Sequence, residues 1–305
     1  MQKIIDPIDR SVLAEELTKD KLLRKTNNAN NEIYLVDNNN APNVLREIGR
    51  LREVSFRTAG GGTGKDCDLD FYDITEVPYQ QLIVWDPEEK EITGGYRFIL
   101  CKEAPFKENN IPQLATAGLF NFSDKFIKEY LPYTIELGRS FVQPNYQTAR
   151  KNRKSIYSLD NLWDGLGALI VNYPETQYFF GKVTMYTDFN PRARDMILYF
   201  MNNFFPDKEK LAYPKEPLGY KTDISDFDKI FNASSLEENK KILSKEVRKY
   251  NENIPPLINS YMNISPTMKT FGTAINEGFG GVEETGILVT IADIYDQKKE
   301  RHTQY

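Results

Sequence analysis

Glu136-Leu-Gly-Arg-Ser-Phe-Val142 sets two charged side chains inside a run that otherwise reads as an interior strand. Thr134, Ile135, Leu137, Phe141 and Val142 supply its strand character, and a buried carboxylate or guanidinium is costly unless paired. On a regular strand, residues three apart face opposite ways, so Glu136 and Arg139 should not meet. One extra residue, expected at Gly138, makes a β-bulge and turns both charges to one face. The bulge also splays neighbouring backbone N–H groups and opens a slot for a ligand carbonyl. The stretch therefore reads either as a ligand site or as a structural ion pair beside an edge strand. On its own it admits both.

Working outward, Gln80–Asp86 and Glu91–Cys101 read as a hairpin turning through Pro87–Lys90, with Arg97 as a second charge in a core-like strand. Glu32–Asp37 alternates as a first strand. Pro42 opens a helix to about Arg57, with Val44, Leu45, Ile48 and Leu51 on its inner face. Arg46, Arg50, Glu53 and Arg57 form a stripe expected to be solvated. Thr58–Asp66 (TAGGGTGKD) fails as a phosphate loop, because Ala59 and Asp66 stand where Gly and Ser/Thr are needed. It reads instead as a flexible connection, with the character of a flap. Ser158 caps a helix whose Leu159, Leu162, Trp163, Leu166, Leu169 and Ile170 recur at helical spacing. Strand Tyr178–Tyr186, a helix opened by Asn190-Pro191, and closing strands at 257–264 and 286–295 follow. Residues 1–26 read as an N-terminal helical arm. Residues 27–305 read as one domain carrying a charged helical insertion at about 207–255.

The order of elements implies an α/β (α+β) layer arrangement around a mixed central sheet. A net charge of −5 excludes a nucleic-acid partner, which needs a basic face. The apolar runs are too short for a transmembrane helix, and the N-terminus has no secretory pattern, so a cytoplasmic location is expected. Cys67 lies between Asp66 and Asp68, which should raise its thiol pKa. His302 is the one histidine, in what reads as a polar tail. Imidazole-based mechanisms and most zinc sites are thereby disfavoured, and no metal is expected.

Asp68, Asp70, Asp73, Arg97, Glu136 and Arg139 gather as charges in apolar context, with Arg57 at its helix end. Such a network suits a zwitterionic acceptor, arginine for its carboxylate and acids for its ammonium. Arg150, Lys151, Arg153 and Lys154 precede the Ser158 helix, where a phosphate can bind; a solvated basic loop is the plainer reading.

Five motifs in register then carry a resemblance: Arg52-Glu-Val-Ser-Phe-Arg57, Asp68-Leu-Asp-Phe-Tyr-Asp73, Gln81-Leu-Ile-Val-Trp-Asp86, Gly95-Tyr-Arg97 and Glu136-Leu-Gly-Arg-Ser-Phe-Val142. In that order they resemble the acyl-carrier-protein-dependent N-acyltransferases of the GNAT-like superfamily. These include ornithine-lipid and glycine-lipid synthases and the hemolysin-like proteins of Bacteroidetes, and are related to acyl-homoserine-lactone synthases. The resemblance implies a GNAT-like acyl-CoA N-acyltransferase fold with a mixed sheet splayed at the bulged strand, where a phosphopantetheine arm inserts. It implies Glu136, Arg139, Asp73 and Arg97 as catalytic residues, with Glu136 accepting the acceptor's proton. Arg57, Asp68, Asp70, Phe71, Ser140, Phe141 and Val142 are implied in substrate binding. The Arg150, Lys151, Arg153 and Lys154 run is expected to meet the phosphopantetheine or its carrier.

The donor implied is an acyl thioester of acyl carrier protein, with no permanently bound cofactor. The acceptor implied is a small amino acid, glycine before ornithine, and the lipid product suggests peripheral contact with the inner membrane. The alternatives are an acyl-homoserine-lactone-type synthase and a membrane-lytic protein without enzymatic activity.

Overall fold

In the computed structural model, which describes residues 1–147 and 153–304, the alternating apolar runs assemble into one eight-stranded sheet. Its spatial order is β1 (Leu22–Lys25), β2 (Glu32–Val36), β3 (Gln80–Asp86), β4 (Glu91–Leu100), β8 (Thr134–Val142), β9 (Tyr178–Met185), β12 (Val282–Thr290) and β11 (Lys269–Asn276). Two small sheets pair β5 (Phe106–Lys107) with β6 (Ile111–Pro112), and β7 (Phe120–Phe122) with β10 (Ala212–Pro214). Within the main sheet only β8 and β9 run parallel; the other neighbours are antiparallel. This is the mixed α/β sheet flanked by helices that the sequence implied.

Strand alternation divides the core between the two faces. On one face Leu82, Phe98 and Leu137 meet α4 (Ser158–Asn172) through Leu162, Leu166 and Leu169, and α5 (Pro191–Phe204) through Ile197 and Phe200. On the other, Val44, Ile48 and Leu51 of α2 (Pro42–Thr58) cover Ile83 and Trp85. Farther along that face, Phe120, Phe126 and Leu131 cover Ile99, Phe180 and Leu288. Each such side chain contributes about 1.5–3 kcal/mol on burial. Arg97 and Glu136 stand on this second face, between its two apolar clusters, so the charges have a polar gap to occupy.

Local chemistry explains the helix starts that frame the site. Ala41 cannot cap α2, and the Glu16 carboxylate at the end of α1 (Arg10–Glu16) accepts the Asn43 and Val44 N–H groups at 3.2 and 2.9 Å instead. At α3 (Phe71–Ile74) Asp70 accepts from Tyr72 N–H at 3.0 Å and Asp73 accepts from Asp70 N–H at 3.1 Å, a capping box. Phe71–Ile74 is therefore one capped turn of helix, with Asp70 as its cap.

Several expectations are corrected. Residues 257–264 form α8 (Pro256–Met262), not a strand, because the Pro255–Pro256 pair starts a helix; the closing pair is β11 and β12. Only Arg10–Glu16 of the first 26 residues is α-helical, and Leu22–Lys25 joins the sheet edge. The 207–255 segment carries β10, α6 (Phe227–Ile230) and α7 (Leu236–Arg248), whose Phe227, Leu243 and Val247 enter the main core. The α2 charge stripe is solvated only in part: Arg46 is exposed, whereas Glu53 is buried and accepts from Thr63 N–H (3.0 Å), Thr63 Oγ1 (2.7 Å) and Gly64 N–H (2.8 Å). That carboxylate ties down the 58–66 connection, and Gln2 N–H bonds to Gly64 O across it at 2.8 Å. His302 is not in a polar tail. It lies on α9 (Asp296–Thr303), buried, with Nδ1 2.7 Å from Asp164 Oδ1 of α4.

Candidate active site

The bulge exists, one residue later than expected. The β4–β8 register pairs Arg97 with Gly138 and Gly95 with Phe141, so three steps on β8 match two on β4. Arg139 takes the left-handed conformation at φ 50°, while Gly138 stays in register. A Cβ on Gly138 would meet Arg97 Nε at 3.6 Å, an ordinary contact, so the space there does not itself require glycine. Parallel pairing of β8 with β9 runs from Thr134–Tyr178 to Leu137–Gly181 and then stops. Beyond that point β8 pairs with β4 alone and β9 with β12 alone. The strands part there. A slot opens through the sheet, lined on both faces by Leu137, Gly138, Arg139, Ser140, Lys182 and Leu257.

Glu136 and Arg139 do share a face and line the same slot, as the bulge requires. They do not pair. Glu136 is buried, and its Oε1 accepts Thr116 N–H at 2.8 Å while Oε2 accepts the Tyr79 hydroxyl and Ala115 N–H. Arg139 Nε lies 3.0 Å from Asp68 Oδ2, its Nη2 is 3.6 Å from Asp70 Oδ2, and its guanidinium stacks on Phe279 at 4.2 Å. The reason is reach: the positive φ at Arg139 directs its side chain toward the Asp68–Asp70 segment, whereas Glu136 faces the 114–116 loop.

Arg97 joins the second set of acids, at 2.8 Å from Asp70 Oδ1 and 3.1 Å from Asp73 Oδ2. Asp73 Oδ1 is in turn 3.1 Å from Arg52 Nη1. Burial pushes the Asp73 carboxyl up, but Arg52 and Arg97 outweigh it and hold the group far below the usual carboxylate range. Burial likewise disfavours the Arg97 cation, and Asp73 and Asp70 more than compensate. Burial and Glu136 together drive the Tyr79 hydroxyl well above its ordinary value, so it stays a proton donor to Glu136. Cys67 is pushed up to about 11, by burial first and then by Asp66 and Asp68, as its sequence context implied.

The remaining expected residues scatter. Of the arginines in the first motif, fully buried Arg52 enters the charged network. Arg57 instead pairs with Glu53 at 2.6 Å and donates to the carbonyls of Gln2 and Lys65. Phe71 is 53% exposed and meets Tyr72 edge-on, away from the charges. Ser140 lines the slot, Phe141 packs under α2, and Val142 packs on the α4 side. Arg150 and Lys151 lie outside the described residues, and Arg153 and Lys154 open a short 3-10 turn before α4.

Sequence reasoning missed Tyr79, Lys182, Thr184, Phe279 and Glu284, all lining the slot. The cross-strand pair Thr184–Glu284 sits opposite the bulge, and Lys182 and Glu284 form an ion pair. A charge alternating with apolar neighbours in Gly181-Lys-Val-Thr-Met185 was the available signal, of the same kind that singled out Arg97.

A second cavity, of about 390 Å³, lies between α4, α8 and α9 and is lined by Trp163, Leu166, Ile170, Phe179, Ile264 and Ile294, among others. Phe179 also lines the slot, and Trp163 packs on Tyr261, another slot residue, with ring centroids 5.5 Å apart. The two spaces thus share a wall. Among the described residues no helix is long and apolar enough to cross a membrane.

Residues 51–154 match the acetyltransferase (GNAT) domain. The chain is 56% identical over 304 residues to a glycine N(alpha)-acyltransferase of Phocaeicola vulgatus, covering 100% of this chain and 93% of that protein. It is 55% identical to a protein of the same name from Bacteroides thetaiotaomicron, covering 100% and 90% respectively. No solved structure matches significantly. A parted parallel strand pair, a buried charged site at the parting and full-length relatives of this kind agree: the chain is an acyltransferase and belongs to the GNAT superfamily of N-acyltransferases.

Proposed function

We propose that this enzyme transfers a fatty acyl group, simple or 3-hydroxylated, from the thioester of acyl carrier protein to the amine of glycine. The observation that carries the reading is the parting of β8 and β9 after Leu137–Gly181, beside buried Glu136. A thioester lying in that slot presents its carbonyl to the bulge, where the β4–β8 register skips Arg139 and Ser140. Backbone N–H groups there suit the oxyanion, a contribution of about 3 kcal/mol per donor. The names of the two relatives support glycine as the acceptor.

In the proposed reaction the glycine ammonium first gives a proton, directly or through a water, to Glu136. The freed nitrogen lone pair attacks the thioester carbon, the C–N bond forms and the C–S bond breaks. The second proton leaves nitrogen as the thiolate departs and is protonated, so N-acylglycine, a thiol and one proton are the products. The chain's own contribution is to place both reactants in one slot and to hold the carboxylate; Tyr79 keeps Glu136 oriented. We place the acyl chain on the far side of the sheet, past Phe179 in the 390 Å³ cavity. An amphiphilic product of this kind suits release at the inner membrane surface. The Arg150, Lys151, Arg153 and Lys154 run is assigned to the carrier protein's phosphodiester.

The test is reconstitution: purified enzyme with acyl-carrier-protein or coenzyme A thioesters and glycine, ornithine or homoserine lactone precursors, read by mass spectrometry. N-Acylglycine from the carrier-protein donor is the expected product. Exclusive use of another amine, or lysis of vesicles with no donor present, removes the reading.

A further inference from the structure

Glycine enters as a zwitterion, and the slot must meet both of its charges as well as its reacting nitrogen. Of the carboxylates lining the slot, Glu136 holds a hydrogen bond on each oxygen from the Tyr79–Thr116 cage, with Oε1 free to take one more. Glu284 differs. Its Oε2 takes both Lys182 Nζ and Asn276 Nδ2, the latter at 2.9 Å. Among the described residues its Oε1 has only a long contact, 3.5 Å, from Thr184 Oγ1. An ionised carboxylate oxygen has room for about two hydrogen bonds, so Oε1 retains strong acceptor capacity while lining the slot.

The surroundings are matched to that oxygen. Lys182 carries three N–H donors and sits on β9 where that strand has left β8. Arg139 holds its guanidinium over the Phe279 ring at 4.2 Å across the same space. Phe279 meets Phe56 edge to face with centroids 5.0 Å apart, and both line the slot. Behind that wall the backbone at Gly280 runs close to Gly61, where a Cβ on residue 280 would lie 3.1 Å from Gly61 Cα. Glu284 stays ionised: burial pushes its carboxyl up, but Lys182, Arg139 and Asn276 bring it below the ordinary value.

Building on the glycine-acylation reading above, we infer that Glu284 and Lys182 form the acceptor-binding pair. Glu284 Oε1 receives the amino acid's ammonium, Lys182 together with Arg139 receives its carboxylate, and the Phe56–Phe279 wall excludes a side chain on its α-carbon. Glu136 keeps the proton-accepting role, so the two carboxylates divide binding from chemistry.

The experiment is steady-state kinetics with glycine varied at fixed acyl donor. Glu284→Gln should raise the glycine KM about tenfold or more, the effect of one charge-assisted contact, while donor KM holds and kcat changes far less. Lys182→Met should erase the preference for glycine over glycinamide, which lacks the carboxylate; a purely structural lysine would leave that ratio alone. Phe279→Ala should raise alanine relative to glycine in kcat/KM by about tenfold. If a single variant fails to fold because its partner charge is left buried, Glu284→Gln/Lys182→Met removes both charges and must show the raised glycine KM. An unmoved glycine KM in Glu284→Gln or the double variant, an unmoved glycine-to-glycinamide ratio in Lys182→Met, or an unmoved alanine ratio in Phe279→Ala overturns the inference. With an active wild type, such results leave the glycine-acylation reading standing. A wild type that makes no N-acylglycine removes both.

Discussion

Glu136→Gln separates chemistry from scaffolding, and its size can be worked from the cage around that residue. The carboxylate takes Thr116 N–H on one oxygen, and the Tyr79 hydroxyl with Ala115 N–H on the other. A glutamine that keeps its carbonyl on Thr116 must turn its NH2 toward Tyr79. The phenol can rotate to accept, but its own O–H then loses an acceptor, and Ala115 N–H keeps only its 3.0 Å bond to the Tyr79 oxygen. One bond loses its charge assistance, one reverses and one is lost, while the desolvation of a buried carboxylate is relieved. The net cost is about 1–3 kcal/mol of stability. That is smaller than the typical stability of a domain, about 5–15 kcal/mol, so the variant should fold.

Loss of a positioned proton acceptor costs about 10²–10⁴ in rate, or about 3–5 kcal/mol of barrier. Initial rates of N-acylglycine formation by mass spectrometry, with urea unfolding of the same samples, read the two effects separately. Tyr79→Phe, which leaves both amide donors on the carboxylate, should lower kcat less than about tenfold. A folded Glu136→Gln enzyme within about threefold of wild-type kcat would refute the assignment, since even the lower bound for a proton acceptor exceeds that.

Three further outcomes are expected. Arg52→Met leaves Asp73 buried with Arg97 as its remaining cation and should cost about 3 kcal/mol by urea unfolding; a change under about 0.5 kcal/mol would contradict the network. Asp73 and Glu284 are both held below their ordinary values of 3.8 and 4.5. Their stabilisation is therefore complete above about pH 5 and is lost as pH falls through and below those values; unfolding midpoints between about pH 6 and 3 should drop for wild type and flatten in Asp73→Asn. Ile264→Trp, which fills the second cavity, should depress turnover of long acyl donors while sparing short ones. Equal loss across chain lengths would take the acyl chain out of that cavity.

The legible parts of the fold were those in which one stretch of chain carries its own signal. Charges and a glycine inside an apolar strand announced a bulge at residues 136–142. Pro42 and the spacing of Val44, Leu45, Ile48 and Leu51 announced α2. The bulge landed on Arg139, which takes the left-handed φ of 50°, while Gly138 stays in register opposite Arg97, a placement no local pattern expresses. Residues 257–264 read as a strand because an apolar run of that length suits a short helix as well as a strand; Pro255–Pro256 decides for the helix.

The site itself was half written in the chain. Sequence alone marked Asp68, Asp73, Arg97 and Glu136 for burial from the apolar runs around them, while Arg52, Glu53 and Glu284, buried as well, carried no such mark. Tertiary structure decided who meets whom: Arg139 finds Asp68 from 71 residues away, Glu136 is caged by Tyr79 from 57, and Glu284 reaches Thr184 from 100. Burial follows from local composition and period, which a strand carries with it. Partnership follows from strand order and register, and those are settled only when the whole sheet closes around the parting of β8 and β9.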